Sequence, residues 1–281
     1  MKTGGFLSFI RKINLVPIVL LLGLTGCSEK MIKSQDLKNT PPELNLDVVK
    51  RLNQKTESEN LIFYHRSTDT LEIERSESYL KWALDYLNIS LDEKIKFFKF
   101  KDRVEMGEAF GKECGGVALL SSLSLATHWS WQNHEVMHLL SYQWSNFCAP
   151  PSFFMEGIAV ATQIDPYTND YQPRFHDNPE DYISWIKRLK NKNLLHPLED
   201  LLESKSFWEK RNTERYWITY PQSGIFTLFL IQTYNLETYK KIYKTVLYED
   251  TKESINNQFI KFYGKEIKTL EEEWLLWLET N

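Results

Sequence analysis

The apolar positions change period several times between residues 56 and 122. Leu61-Ile62-Phe63-Tyr64-His65 is a short β-prone run that predicts a strand. From 76 to 88, Tyr79, Leu80, Ala83, Leu84 and Leu87 recur at helical spacing and predict an amphipathic helix. Ile95, Phe97, Phe98 and Phe100 predict a second strand. Gly115-Gly116 leads into a third, Val117-Ala118-Leu119-Leu120. Beyond 123 the pattern is helical. Ser130 to Tyr142 reads as one helix, and Pro150-Pro151-Ser152 as the start of another that runs from Phe153 to about Gln163, with Ser152 as N-cap. Residues 165–180 hold three prolines and several Asn and Asp, and predict a long loop. Helices are then expected over Tyr182–Lys190, Leu198–Leu202, Gly224–Tyr234, Glu237–Leu247, Ile255–Tyr263 and about Glu266–Leu278. The layout is α+β, with a mixed part at 56–122 followed by a mostly helical part at 123–281.

The first 55 residues follow a different pattern. Lys2, Arg11 and Lys12 precede an apolar run from Ile13 to Leu24, too short to serve as a permanent bilayer span of ~20 residues. This is the form of a secretory signal. Leu24-Thr25-Gly26-Cys27 looks like a lipobox, which implies a signal peptide at 1–26 and a lipid on Cys27. Ser28 after the cysteine, by resemblance to Gram-negative lipoproteins, implies the outer membrane, facing the periplasm or the cell surface. Residues 27–55, polar and broken by Pro41-Pro42, read as a tether, and 56–281 as the folded domain.

Composition narrows the function classes. The 281 residues carry a net charge of −4 with no basic run, which speaks against a nucleic-acid partner. Aromatic content is 14%, including nine Trp, and reads either as an aromatic core or as an aromatic-lined substrate groove. With Cys27 lipidated, Cys114 and Cys148 remain as an even pair in an oxidising compartment. A disulfide between them is expected, the alternative being two separate buried thiols.

The chemistry concentrates in His134-Glu135-Val136-Met137-His138. Residues four apart share a helix face, so both imidazoles can reach one ion. Glu135 is offset from that chelate but placed to touch a water beside it. A third ligand is available in Phe153-Phe154-Met155-Glu156-Gly157-Ile158-Ala159. Glu156 is an acid inside an apolar helix, and a lone buried carboxylate needs a cationic partner. His65, His128, His176 and His196 lack such pairing and read as surface or capping histidines.

His-Glu-x-x-His followed by Glu-Gly-Ile-Ala resembles the gluzincin zinc metallopeptidases, and looks most like the small bacterial peptidase MA-like group. The resemblance extends to Tyr220-Pro221-Gln222-Ser223-Gly224-Ile225-Phe226 and to Leu270-Glu271-Glu272-Glu273-Trp274. It implies a zincin-like fold with the zinc site between the β-containing part and the helical part. The implied ligands are His134, His138 and Glu156 for Zn²⁺, with Glu135 as general base. Tyr220 is the implied oxyanion donor, with Tyr216 as competitor. The strand Val117–Leu120 would bind substrate backbone, or else serve as a plain core strand. One position departs from the pattern. Thermolysin-like gluzincins carry an Asp four residues after the glutamate ligand, and here Val160 stands there. Orientation of a ligating histidine would then fall to Gln163, Asp165 or a backbone carbonyl. The activity implied is hydrolysis of peptide or protein substrates by a monomeric envelope protein. The competing reading is a catalytically silent lipoprotein of the same fold that binds peptides or acts as an envelope scaffold.

Overall fold

The computed structural model describes residues 45–145, 148–176, 180–215 and 217–281. The signal segment, Cys27 and Tyr216 lie outside the described residues. The chain forms two compact units. The first runs to Leu71 and resumes over Glu93–Ser130. The second holds Glu72–Asp92 and Trp131–Asn281. The helix predicted at 76–88 therefore belongs to the second unit, although it interrupts the strands of the first.

The first unit is built on a five-stranded mixed sheet. Its strands are β1 (Gln54–Glu57), β2 (Leu61–His65), β3 (Ile95–Lys99), β4 (Gly116–Leu119) and β5 (Ser124–Thr127), in the order β1-β2-β3-β5-β4. β2, β3 and β5 are parallel, with Phe63 opposite Phe97 and Phe97 opposite Leu125. β1 and β4 close the two edges antiparallel to their neighbours. Of the central strands, β2 and β3 carry apolar runs legible in the sequence, as strands buried on both faces should, while the run at 117–120 falls on edge strand β4. Edge strand β1, Gln-Lys-Thr-Glu, is polar and mostly exposed, and such charge on an edge discourages further pairing. Helices α1 (Leu46–Val49) and α3 (Arg103–Phe110) complete the unit, with α2 (Ile73–Leu87) lying between them in sequence. Val48, Val49, Met106, Ala109 and Phe110 pack with Tyr64, Phe98 and Ala126 in one buried cluster. The described fold begins with α1, ahead of β1.

Cys114 packs against this same cluster as a partly buried apolar side chain. A cysteine among apolar neighbours behaves as a small hydrophobe.

The second unit is helical. Besides α2 it contains α4 (His134–Ser141), α5 (Ser152–Ala161), α6 (Tyr182–Asn191), α7 (Ser204–Thr213), α8 (Thr219–Tyr234), α9 (Leu236–Thr245), α10 (Lys252–Tyr263) and α11 (Ile267–Thr280). Several boundaries differ from the sequence reading. α4 begins at His134 and not at Ser130, because Asn133 and Gln132 both accept from the His134 backbone N–H, at 2.9 and 3.0 Å. Ser152 is the first residue of α5, with Pro151 in the cap position. Leu198–Asp200 is a single 3₁₀ turn, and α7 follows where no helix was expected. α8 starts five residues earlier than its apolar pattern. Its cap is the Glu214 carboxylate, which accepts from the Thr219 N–H at 3.1 Å, and Pro221 is tolerated in the first turn. Among the described residues no helix is long and apolar enough to cross a membrane.

The crossing of α5 and α8 positions the chemistry. A Cβ built on Gly157 would lie 2.4 Å from Thr227 Oγ1, and one on Gly224 would lie 2.2 Å from Val160 Cγ1. Neither glycine position has room for a Cβ. The two glycines therefore let the backbones approach; Glu156 precedes Gly157 on α5, and Tyr220 lies one turn before Gly224 on α8. Val160 lies one turn after Glu156 on α5. Here its side chain fills the helix crossing and is fully buried. The opposite side of α5 is tied to α2, where Tyr79 donates to the Thr162 carbonyl at 3.0 Å.

Candidate metal centre

His134 and His138 lie in the first and second turns of α4, and Glu156 lies midway along α5. All three belong to the second unit. Their ligand atoms form a near-equilateral triangle. His134 Nε2 is 3.1 Å from His138 Nε2 and 3.1 Å from Glu156 Oε2, and His138 Nε2 is 3.4 Å from the same oxygen. Tetrahedral zinc holds N and O ligands at about 2.0–2.2 Å, which sets neighbouring ligand atoms roughly 3.3–3.6 Å apart. Two nitrogens and one carboxylate oxygen at these separations are a donor set that a divalent cation fits. They are the cluster of this kind found among the described residues, and no atom of Glu135 belongs to it.

Electrostatics explain why these atoms stay together. Burial disfavours the Glu156 carboxylate, but His138 and His134 outweigh it and hold the acid far below the usual carboxylate range. Burial likewise opposes charge on His138, yet the Glu156 carboxylate prevails and raises the imidazole's pKa. A metal entering the triangle must displace any proton held between its members.

The surroundings of the triangle are asymmetric. His134 Nδ1 lies 3.3 Å from Gln163 Oε1, and the Tyr182 hydroxyl donates to the same oxygen at 3.3 Å. His138 Nδ1 is buried and has no hydrogen-bond partner among the described residues. Of the orienting groups considered from sequence, Gln163 thus reaches the site. Asp165 does not: its carboxylate pairs with Arg75 at 2.7 Å and accepts from Thr168 Oγ1. Tyr182 and Gln132 were not foreseen. Tyr182 carried no local signal, because its role depends on a contact between chain segments nineteen residues apart.

Tyr220 sits in the first turn of α8, not before the helix, and its ring lies roughly parallel to that of His134 with centroids 6.1 Å apart. Burial, then the charges of Glu156 and Glu135, push its hydroxyl well above the ordinary tyrosine pKa, against a weaker pull from Arg211. The phenol therefore keeps its proton at neutral pH and can donate it in a hydrogen bond. Glu135 lies in the first turn of α4, next to His134 in sequence, and its charge adds to the upward shifts of Tyr220 and His138. Trp217 and Trp208 pack on the Tyr220 ring at 5.8 and 6.1 Å, and Trp217 is 36% exposed. Other tryptophans are core, Trp274 fully so.

The four remaining histidines do not join the triangle. His65 is held between Thr56 Oγ1 and the Arg66 carbonyl. His176 meets Gln132 Oε1 at 3.3 Å. His196 pairs its backbone with the Gln222 amide.

No family model matches the chain, and no curated protein matches it either. The reading of the site rests on its own geometry and on the motifs that build it.

Proposed function

We propose that the protein is a zinc-dependent peptidase of the gluzincin type, with His134, His138 and Glu156 as ligands and Glu135 as general base. The observation that carries the reading is the triangle of two imidazole nitrogens and one carboxylate oxygen, with edges of 3.1, 3.1 and 3.4 Å. Zinc bound there would polarise a scissile carbonyl and bring the pKa of water in its open position towards ~7. Glu135, off the chelate but beside it, would accept the proton of the attacking water and pass it to the leaving amine. Tyr220 would donate its phenolic proton in a hydrogen bond to the oxygen that gains negative charge. β4 is an edge strand of the first unit, the condition for a peptide to add as a further strand.

The deciding experiment is metal stoichiometry of the full chain in detergent. One zinc per chain is expected by elemental analysis, and His134→Ala, His138→Ala and Glu156→Ala should each lose most of it. Affinity should fall as pH drops, because protonated His138 must release its proton to the ion. Its raised pKa means that the loss begins at a higher pH than an unperturbed histidine, at ~6.5, would show. A wild-type chain that stays metal-free after zinc is supplied would end the proposal. Zinc binding without hydrolysis of any peptide in a broad library would favour the silent, peptide-binding reading.

The envelope location rests on residues 1–27 alone. Cys27→Ser should lack acyl chains by mass spectrometry and leave the membrane fraction. Acylation of that variant would remove the lipobox from the argument.

A further inference from the structure

A histidine that binds a metal through Nε2 has to carry its proton on Nδ1, and the acceptor of that proton sets how basic the ring is. For His134 the acceptor is Gln163 Oε1. We infer that Gln163, locked by Tyr182, is the positioning group of the metal site, and that its neutral amide holds zinc more weakly than a carboxylate in the same place would. The inference rests on the metal reading above.

The geometry restricts Gln163 to one arrangement in the metal-bound state. If the amide were turned, its NH₂ would donate to His134 Nδ1, and the ring proton would move to Nε2. That proton would then point into the triangle, where His138 Nε2 and Glu156 Oε2 lie 3.1 Å away. Binding of a cation excludes this tautomer. With the amide oxygen toward His134, the same oxygen accepts from Tyr182, whose hydroxyl is buried and has a single proton to give. The Tyr182 proton is thereby committed to the oxygen, and the turned amide loses that bond.

Backbone contacts fix the rest of the residue. Gln163 N–H donates to the Val160 carbonyl at 3.1 Å, and its own carbonyl accepts from Arg174 N–H at 3.0 Å. The side chain is 6% exposed and reaches His134 from the end of the helix that carries Glu156. A second ligand and the support of the first thus come from one rigid segment. His138 has no comparable acceptor among the described residues, so support of ring basicity falls on this one contact. A neutral acceptor leaves the imidazole a weaker donor to the ion than a carboxylate would, because a charge-assisted hydrogen bond is roughly twice as strong.

The test is the zinc dissociation constant of the full chain, by competition with a chromophoric chelator, for wild type and four variants. Gln163→Leu should weaken binding by about 10- to 100-fold, the usual range for loss of such a partner. Tyr182→Phe should weaken it by a smaller factor. The double variant Gln163→Leu/Tyr182→Phe removes both polar ends of the contact, guards against misfolding from an orphaned hydroxyl, and should match Gln163→Leu. Gln163→Glu should tighten binding by about tenfold or more. A purely structural role for Gln163 cannot produce that opposite sign. Equal constants for wild type, Gln163→Glu and the double variant, with unchanged thermal transitions, would overturn the inference and leave the zinc site standing. Absence of zinc from wild type would overturn both.

Discussion

Glu135→Gln is expected to keep its zinc and its fold while losing hydrolysis by about 10²- to 10⁴-fold. The substitution preserves shape and removes the proton acceptor. Glu135 contributes no atom to the His134–His138–Glu156 triangle, so the ligand set is untouched. Its place in the first turn of α4 owes little to its own ionisation, because the start of that helix is capped by Asn133 and Gln132. The measurements are zinc content and steady-state turnover on a peptide that the wild type cleaves. Retained zinc with near wild-type turnover would mean that another group accepts the proton, and the gluzincin mechanism would fail even with the metal site intact.

Tyr220→Phe should lower kcat by about 10²- to 10³-fold, the usual effect of removing one donor to a developing oxyanion. KM and zinc content should change little. The ring contacts with His134, Trp208 and Trp217 remain in the variant, so the loss isolates the hydroxyl. The same hydroxyl is kept neutral by burial and by Glu156, which suits it to donate across the neutral pH range. A cation in the triangle reverses the sign of the field that Glu156 exerts, and so lowers the phenol's pKa relative to the metal-free state. Activity should accordingly decline at alkaline pH as the phenol ionises. If Tyr220→Phe cleaves like wild type, the parallel Tyr216→Phe variant decides whether the donor role passes to that residue.

The candidate metal cluster was legible in the sequence because it depends on local periodicity. Helical spacing puts His134 and His138 on one face whatever surrounds them, and turns Glu135 aside. Glu156 stood out as a charge in an apolar helix, which burial penalises unless a partner is supplied. The apolar runs of β2 and β3 and the stripes of α2, α9, α10 and α11 were readable for the same reason.

Other features are set by contacts between distant segments. β1 and β5 carry weak local signals and become strands by pairing with β2, β3 and β4. α8 extends back to Thr219 because Glu214 caps it, and this moves Tyr220 into its first turn. Cys114 packs against the apolar cluster of the first unit, a contact that a count of cysteines does not reveal. The two motif glycines could be recognised in the sequence, whereas their purpose could not. Only the crossing of α5 and α8 shows that a Cβ at either position would collide with the other helix. Val160 and Gln163 complete the case. The sequence alone determines that no acid stands four residues after Glu156. That Val160 fills the helix crossing while Gln163 turns to His134 was decided by tertiary packing, because a side chain's partner depends on which helix its own is pressed against.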